Sequence, residues 1–175
     1  MRSNILKALS VLALGIVVVL VFGRRAAAEP GGGAKELVGT WRVQVTLVDC
    51  ASGTPLSPPF SSLLTFAVGG TMTEDTTNPA FGIGQRSVGQ GTWNYQGRHT
   101  YGAKSVTFIQ YTTPPNPAMH NPGFDAGEQT ITQTITFKDG PDAWNSTAAI
   151  AFIDGTDPST APYRTGCAVA SAQRF

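Results

Sequence analysis

The chain has 175 residues, with 12 Lys+Arg against 11 Asp+Glu and a formal charge of +1. Four of those cations (Arg2, Lys7, Arg24, Arg25) lie in the first 28 residues; without that segment 8 basic residues face 11 acidic ones, a net of −3. A mildly acidic surface argues against nucleic acid as a partner, since that affinity comes mainly from neutralising phosphates, while abundant Gly, Pro, Thr and Ser without long helical periodicity point to strands and turns.

Residues 1–28 have the layout of a signal peptide. Arg2 and Lys7 make a basic start, Ala8 to Gly23 form an uncharged apolar run of 16 residues, and Ala26-Ala27-Ala28 supply small residues for cleavage before Glu29. A bilayer-spanning helix needs about 20 apolar residues, more than this run offers. Arg24-Arg25 oppose export of the chain beyond them, so a retained N-terminal anchor is the alternative, and it would be the chain's one membrane contact. The expected location is periplasmic or extracellular. Residues 29–36, opening Glu-Pro-Gly-Gly-Gly, read as a flexible leader, and 37–175 as one domain.

The domain contains eight strand-like segments: 41–50, 61–68, 71–77, 87–96, 101–112, 128–138, 143–153 and 165–174. In the first, Trp41, Val43, Val45 and Leu47 alternate with Arg42, Gln44 and Thr46. In the sixth, Thr130, Thr132, Thr134 and Thr136 take one face and Ile131, Ile135 and Phe137 the other. One apolar and one polar face is the pattern of an antiparallel sheet around a core. Gly69-Gly70 and Asp139-Gly140 are hairpin signals. The acidic Glu74-Asp75 pair marks 71–77 as an edge or a strand end.

The connections between these segments run 10, 2, 9, 4, 15, 4 and 11 residues. In an up-and-down meander alternate connections share an end, so the strict long–short alternation puts every long loop at one end. Closing such a meander into a barrel also removes its exposed edges. The expected fold is therefore all-β, an eight-stranded antiparallel up-and-down barrel.

Cys50 and Cys167 are the two cysteines of the chain, and in an exported protein a pair reads as a disulfide; two buried free thiols are the alternative. If the first and last strands pair antiparallel, Cys50 meets Cys167 at the long-loop end and Trp41 meets Arg174 at the other. The index sums, 217 and 215, agree within two residues. Parity then puts Trp41, Val43, Val45 and Leu47 inside, facing Ala168, Ala170, Ala172 and Arg174, with the disulfide outside. Trp41, Trp93 and Trp144, with Phe66 and Phe137, collect at the short-loop end as a packed floor.

Leu37-Val38-Gly39-Thr40-Trp41 resembles the glycine-x-tryptophan opening of the lipocalin-like (calycin) barrels. The resemblance implies that Trp41 closes the barrel floor and that an arginine late in the chain, matched here by Arg174, packs across it. The motif covers few residues and recurs at Gly91-Thr92-Trp93, and the sequence lacks the helix that lipocalins usually place near the end.

The long-loop end is the expected mouth. Phe60, Phe81, Met119, Phe124 and Tyr163 lie in its loops, with Tyr111 beside them at the end of the fifth segment. Small interior residues (Ala148 or Ala149, Ala168, Ala170, Ala172) leave room for a cavity. These features point to a pocket for a small hydrophobic or amphipathic ligand, gated by the proline-rich segment 113–127. The competing reading is that the same side chains cap a filled barrel.

No catalytic, metal or cofactor site is expected. His99 and His120 fall at opposite ends, and no Gly-x-Ser-x-Gly or metal-spaced His cluster occurs. His120, Asp125 and Glu128 share a loop, and Asp154-Gly155-Thr156-Asp157-Pro158 comes after a strand; both read as turn chemistry. The chain is thus expected to be a binding protein and not an enzyme. The alternatives are a structural or protein-interaction module of the cell envelope and, by fold analogy alone, a cofactor-free barrel enzyme of the allene-oxide-cyclase type.

Overall fold

The computed structural model describes residues 35–111, 126–138, 140–155 and 160–175. Residues 1–34, which cover the expected signal and most of the expected leader, lie outside the described residues, as do Met119, Phe124, His120 and Asp125. Alternating polarity builds eight strands: β1 (Gly39–Val48), β2 (Phe60–Phe66), β3 (Thr71–Thr76), β4 (Gly89–Gly97), β5 (Thr100–Gln110), β6 (Ala126–Phe137), β7 (Ala143–Asp154) and β8 (Arg164–Arg174). They pair in sequential order, all antiparallel, and β8 returns to β1 to close an up-and-down barrel. The strand ends at Val48, Phe60, Thr76, Gly89, Gln110, Ala126, Asp154 and Arg164 lie at one end of the barrel, and those at Phe66, Thr71, Gly97, Thr100, Phe137 and Ala143 at the other.

The β1–β8 register runs from Trp41↔Arg174 to Val48↔Cys167 without a shift. Cys50 is bonded to Cys167, with 5.2 Å between the Cα atoms. Such a bond persists where the surroundings are not reducing. One expectation needs correction: Cys50 does not end the first strand. β1 stops at Val48, where the Asp49 carboxylate accepts hydrogen bonds from the Ala51 and Ser52 amides and opens a turn. Cys50 sits in that turn and reaches Cys167 diagonally.

The floor is aromatic. Trp41, Tyr101 and Leu37 are wholly buried, with Phe66, Met72, Ile135 and Trp144 at 2% exposure or less. The Trp41 ring meets Phe137 at 5.6 Å and Trp144 at 5.8 Å, and Trp93 meets Phe66 at 6.1 Å and Tyr101 at 6.0 Å. Each such pair adds roughly 0.5–1.5 kcal/mol beyond area burial. Arg174 lies 4.3 Å from the Trp41 ring centroid. Its guanidinium donates to the carbonyls of Glu36, Val38 and Pro141 and to the Asp142 carboxylate, all within 3.0 Å. The clasp therefore joins the start of the barrel, the β6–β7 turn and the last strand. Gly39 makes room for it: φ is +133°, and a Cβ there would lie 2.9 Å from Arg174 Nη1.

β3 differs from expectation. It is not an edge, because it pairs with β2 on one side and β4 on the other, whereas Glu74-Asp75 do lie close to its end, where pairing with β4 stops at Glu74. Glu74 shares the parity of buried Met72, so its side chain points into the barrel. The segment 113–127 also needs trimming. Ala126 and Gly127 belong to β6, and 112–125 lies outside the described residues.

Candidate ligand-binding site at the long-loop end

Above the aromatic floor the interior turns polar. Glu74 on β3, Ser105 and Thr107 on β5, and Gln129 and Gln133 on β6 are all buried with side chains on the inner face. Arg86 completes the set from the connection before β4. Its Nη2 donates to Glu74 Oε1 at 2.8 Å and its Nε to Gln129 Oε1 at 2.7 Å. The second Glu74 oxygen accepts from Ser105 Oγ at 2.8 Å. The Arg86 and Glu74 side chains are 5% and 10% exposed, so solvent screens this pair weakly.

A register shift puts Arg86 there. From Gln90↔Val106 to Tyr95↔Tyr101 the β4–β5 partners sum to 196, whereas the isolated bridge Arg86↔Ile109 sums to 195. One extra residue on the β4 side turns Arg86 from the outer face to the inner face, opposite buried Ile109. The segment is held by backbone bonds from Ser87 N to Phe108 O and from Gln110 N to Gln85 O. Gly89 clears the space beside it. A Cβ there would stand 3.2 Å from the Glu74 carboxylate and 3.0 Å from Thr107 Oγ1.

A cavity of about 60 Å³ lies against this network, lined by Glu74, Thr76, Arg86, Gln129 and Gln133 on the polar side. Val43, Val45, Leu64, Ile131, Ala148 and Ala170 are among its apolar walls. Space of that size accepts a few waters or the end of a ligand, not a whole one. At the mouth a second pocket of about 310 Å³ is lined by Leu56, Phe81, Ile109, Tyr111, Phe152 and Tyr163, among others. Leu47, Asn78, Gln129 and Ile150 line both spaces. The two therefore stack along the barrel, a larger chamber of mixed lining over a small, mainly apolar one lined in part by Glu74, Arg86, Gln129 and Gln133.

Phe60 lines the inner cavity, and Phe81, Tyr111 and Tyr163 line the mouth pocket. The Phe81 ring lies 6.0 Å from the Arg86 guanidinium. The Tyr111 and Tyr163 hydroxyls are 2.8 Å apart, and burial, then the bond to Tyr163, pushes the Tyr111 phenol well above its ordinary value. Ala148, not Ala149, is the interior alanine. Glu74, Arg86, Ser105, Thr107, Gln129 and Gln133 are additions to the site expected from sequence. Parity alone would have found all but Arg86, since Gln129 and Gln133 alternate in step with Ile131, Ile135 and Phe137.

His99 is remote from this site, at the floor, where its Nδ1 lies 2.8 Å from Glu36 Oε2. Among the described residues no three His, Cys, Asp or Glu side chains are grouped to hold a metal ion. Comparison with protein-family models, curated proteins and solved structures gives no significant match.

Proposed function

We propose that this chain is an exported, lipocalin-like barrel that binds a small amphipathic molecule at its long-loop end and catalyses no reaction. One observation carries the reading: a mouth pocket of about 310 Å³, with apolar and polar side chains around it, sharing four residues with a mainly apolar inner cavity into whose lining Glu74, Arg86, Gln129 and Gln133 are set. The volume is at the lower end of small-molecule sites, which suits a short ligand and not a long lipid. The lipocalin likeness rests on Gly39-Thr40-Trp41 at the floor with Arg174 stacked on the indole. Export rests on the basic start, the apolar run and Ala26-Ala27-Ala28, and the disulfide is consistent with it. The absence of a reaction rests on the inner cavity's charged pair, in which the Glu74 carboxylate is held by Arg86 and Ser105 and its charge is matched by the guanidinium.

The test is incubation of the full-length protein with an extract of envelope lipids and small metabolites, followed by native mass spectrometry. One bound species below about 300 Da is expected. A protein that emerges bare at every extract concentration refutes the reading. It would favour the protein-interaction module, a reading supported by how little space, about 60 Å³, remains below Arg86.

A further inference from the structure

The polar groups that line the inner cavity have a definite balance of charge and hydrogen bonding, and the inference drawn from it rests on the binding reading above. Glu74 and Arg86 cancel in charge, and both Glu74 oxygens are occupied, one by Arg86 and one by Ser105. The donors are not all used. Arg86 Nη1 makes no hydrogen bond to a described residue. Gln129 gives its oxygen to Arg86 Nε, and an arginine accepts nothing, so the amide nitrogen of Gln129 is left to donate. Gln133 and Thr76, on the same cavity wall, make no side-chain hydrogen bond to a described residue. The site is therefore electrically neutral; Arg86 Nη1 and the Gln129 amide nitrogen can only donate, while the Gln133 amide and the Thr76 hydroxyl can donate or accept.

We infer that the ligand's polar end is an uncharged hydrogen-bond acceptor, such as a ketone, ester or amide carbonyl, and not a carboxylate. A carbonyl oxygen would meet Arg86 Nη1 and the Gln129 amide without adding charge. A carboxylate would be a second anion sharing one guanidinium with Glu74, in surroundings where like charges are weakly screened. Arg164 lines only the outer pocket, is exposed, and rests on the Phe152 ring at 5.5 Å. It offers a carboxylate no partner at the inner cavity.

The test compares three probes of eight carbons each, 2-octanone, methyl heptanoate and octanoate, at pH 7, where the acid is ionised. Full-length, ¹⁵N-labelled protein in lipid nanodiscs is titrated with each, and the side-chain amide resonances of Gln129 and Gln133 report occupancy. The ketone and the ester should bind at least tenfold more tightly than octanoate. In Glu74→Gln, which keeps the shape and removes the competing anion, octanoate should gain at least tenfold. Octanoate binding the wild type as tightly as the ketone overturns the inference, as does an ester that behaves like the acid. These wild-type comparisons stand whether or not E74Q folds; where it folds, an unchanged octanoate affinity is equally fatal. If none of the probes moves either glutamine, the binding reading itself fails and this inference falls with it.

Discussion

Arg86→Met is the sharpest test of the interior as described. The substitution keeps the apolar stem but removes the donor to Glu74 at 2.8 Å and the donor to Gln129 at 2.7 Å. It strands a carboxylate that is 10% exposed and left with Ser105 Oγ as its hydrogen-bond partner. At an effective dielectric near 20, two unit charges about 4 Å apart attract by about 4 kcal/mol. Removing one partner of a buried pair costs about 3–5 kcal/mol by mutational precedent. With a urea m-value of about 2 kcal/mol/M, the denaturation midpoint should fall by roughly 1.5–2.5 M. Glu74→Gln should also destabilise, because it leaves the guanidinium unpaired. The double variant should cost at least about 2 kcal/mol less than the two single costs combined, since neither stranded charge remains. Lys104→Met, at an exposed position of β5, is the control and should stay within about 0.5 kcal/mol of wild type. An Arg86→Met cost below about 1 kcal/mol, or strict additivity in the double variant, would refute a buried, coupled pair.

Three further outcomes are expected. Replacing both cysteines by serine removes a link spanning 117 residues; the chain-entropy treatment gives a ceiling of about 5 kcal/mol. Thermal unfolding followed by circular dichroism should drop by about 6–12 °C, taking about 3 kcal/mol as realised. Gly89→Ala should cost about 1–2 kcal/mol, because the new methyl presses on Glu74 and Thr107 at 3.0–3.2 Å, and in a Glu74→Ala background the urea midpoint should show a smaller loss. Tyr101 and Tyr111 both have phenols raised above 10, each first by burial, then by Glu36 and Tyr163 respectively. Each holds its proton in the fold after the unfolded chain has lost it, so the stability they contribute is intact below about pH 10 and declines above it. Phenolate absorbance should show two late-titrating groups, one lost in each of Tyr101→Phe and Tyr111→Phe.

The barrel was legible because two independent periodicities agreed. Side-chain alternation defined the strands, and connection length alternated with them, so strand order and loop ends emerged together. Register was legible at one seam, where Trp41, Arg174 and the cysteines constrained each other. The upper interior was not legible, for two physical reasons. Glu74 reads as a surface residue on charge alone, although it is in phase with Met72, and a strand's period places side chains more firmly than their polarity does. Arg86 is hidden by the extra residue before β4. A bulge reverses parity without leaving any mark in composition, so the residue it turns inward is invisible to an alternation count.

The division of the barrel into two halves bears on where binding would occur. The floor is packed with apolar rings; Trp41 Nε1 donates to Leu37 O within it, and Trp144 Nε1 has no partner among the described residues. The same solution was open to the upper half. A buried ion pair is commonly no more stabilising than apolar side chains of equal volume. Instead the chain sets Glu74, Arg86 and two glutamines against Ala148, Ala168 and Ala170, so that polar groups face space that small residues leave unfilled. Fold stability alone requires neither half of that arrangement. Recognition of a molecule with a polar end requires both: donors held in place by a fixed carboxylate, and room beside them. For that reason the polar upper interior, and not the aromatic floor or the disulfide seam, is where substitutions should separate binding from folding.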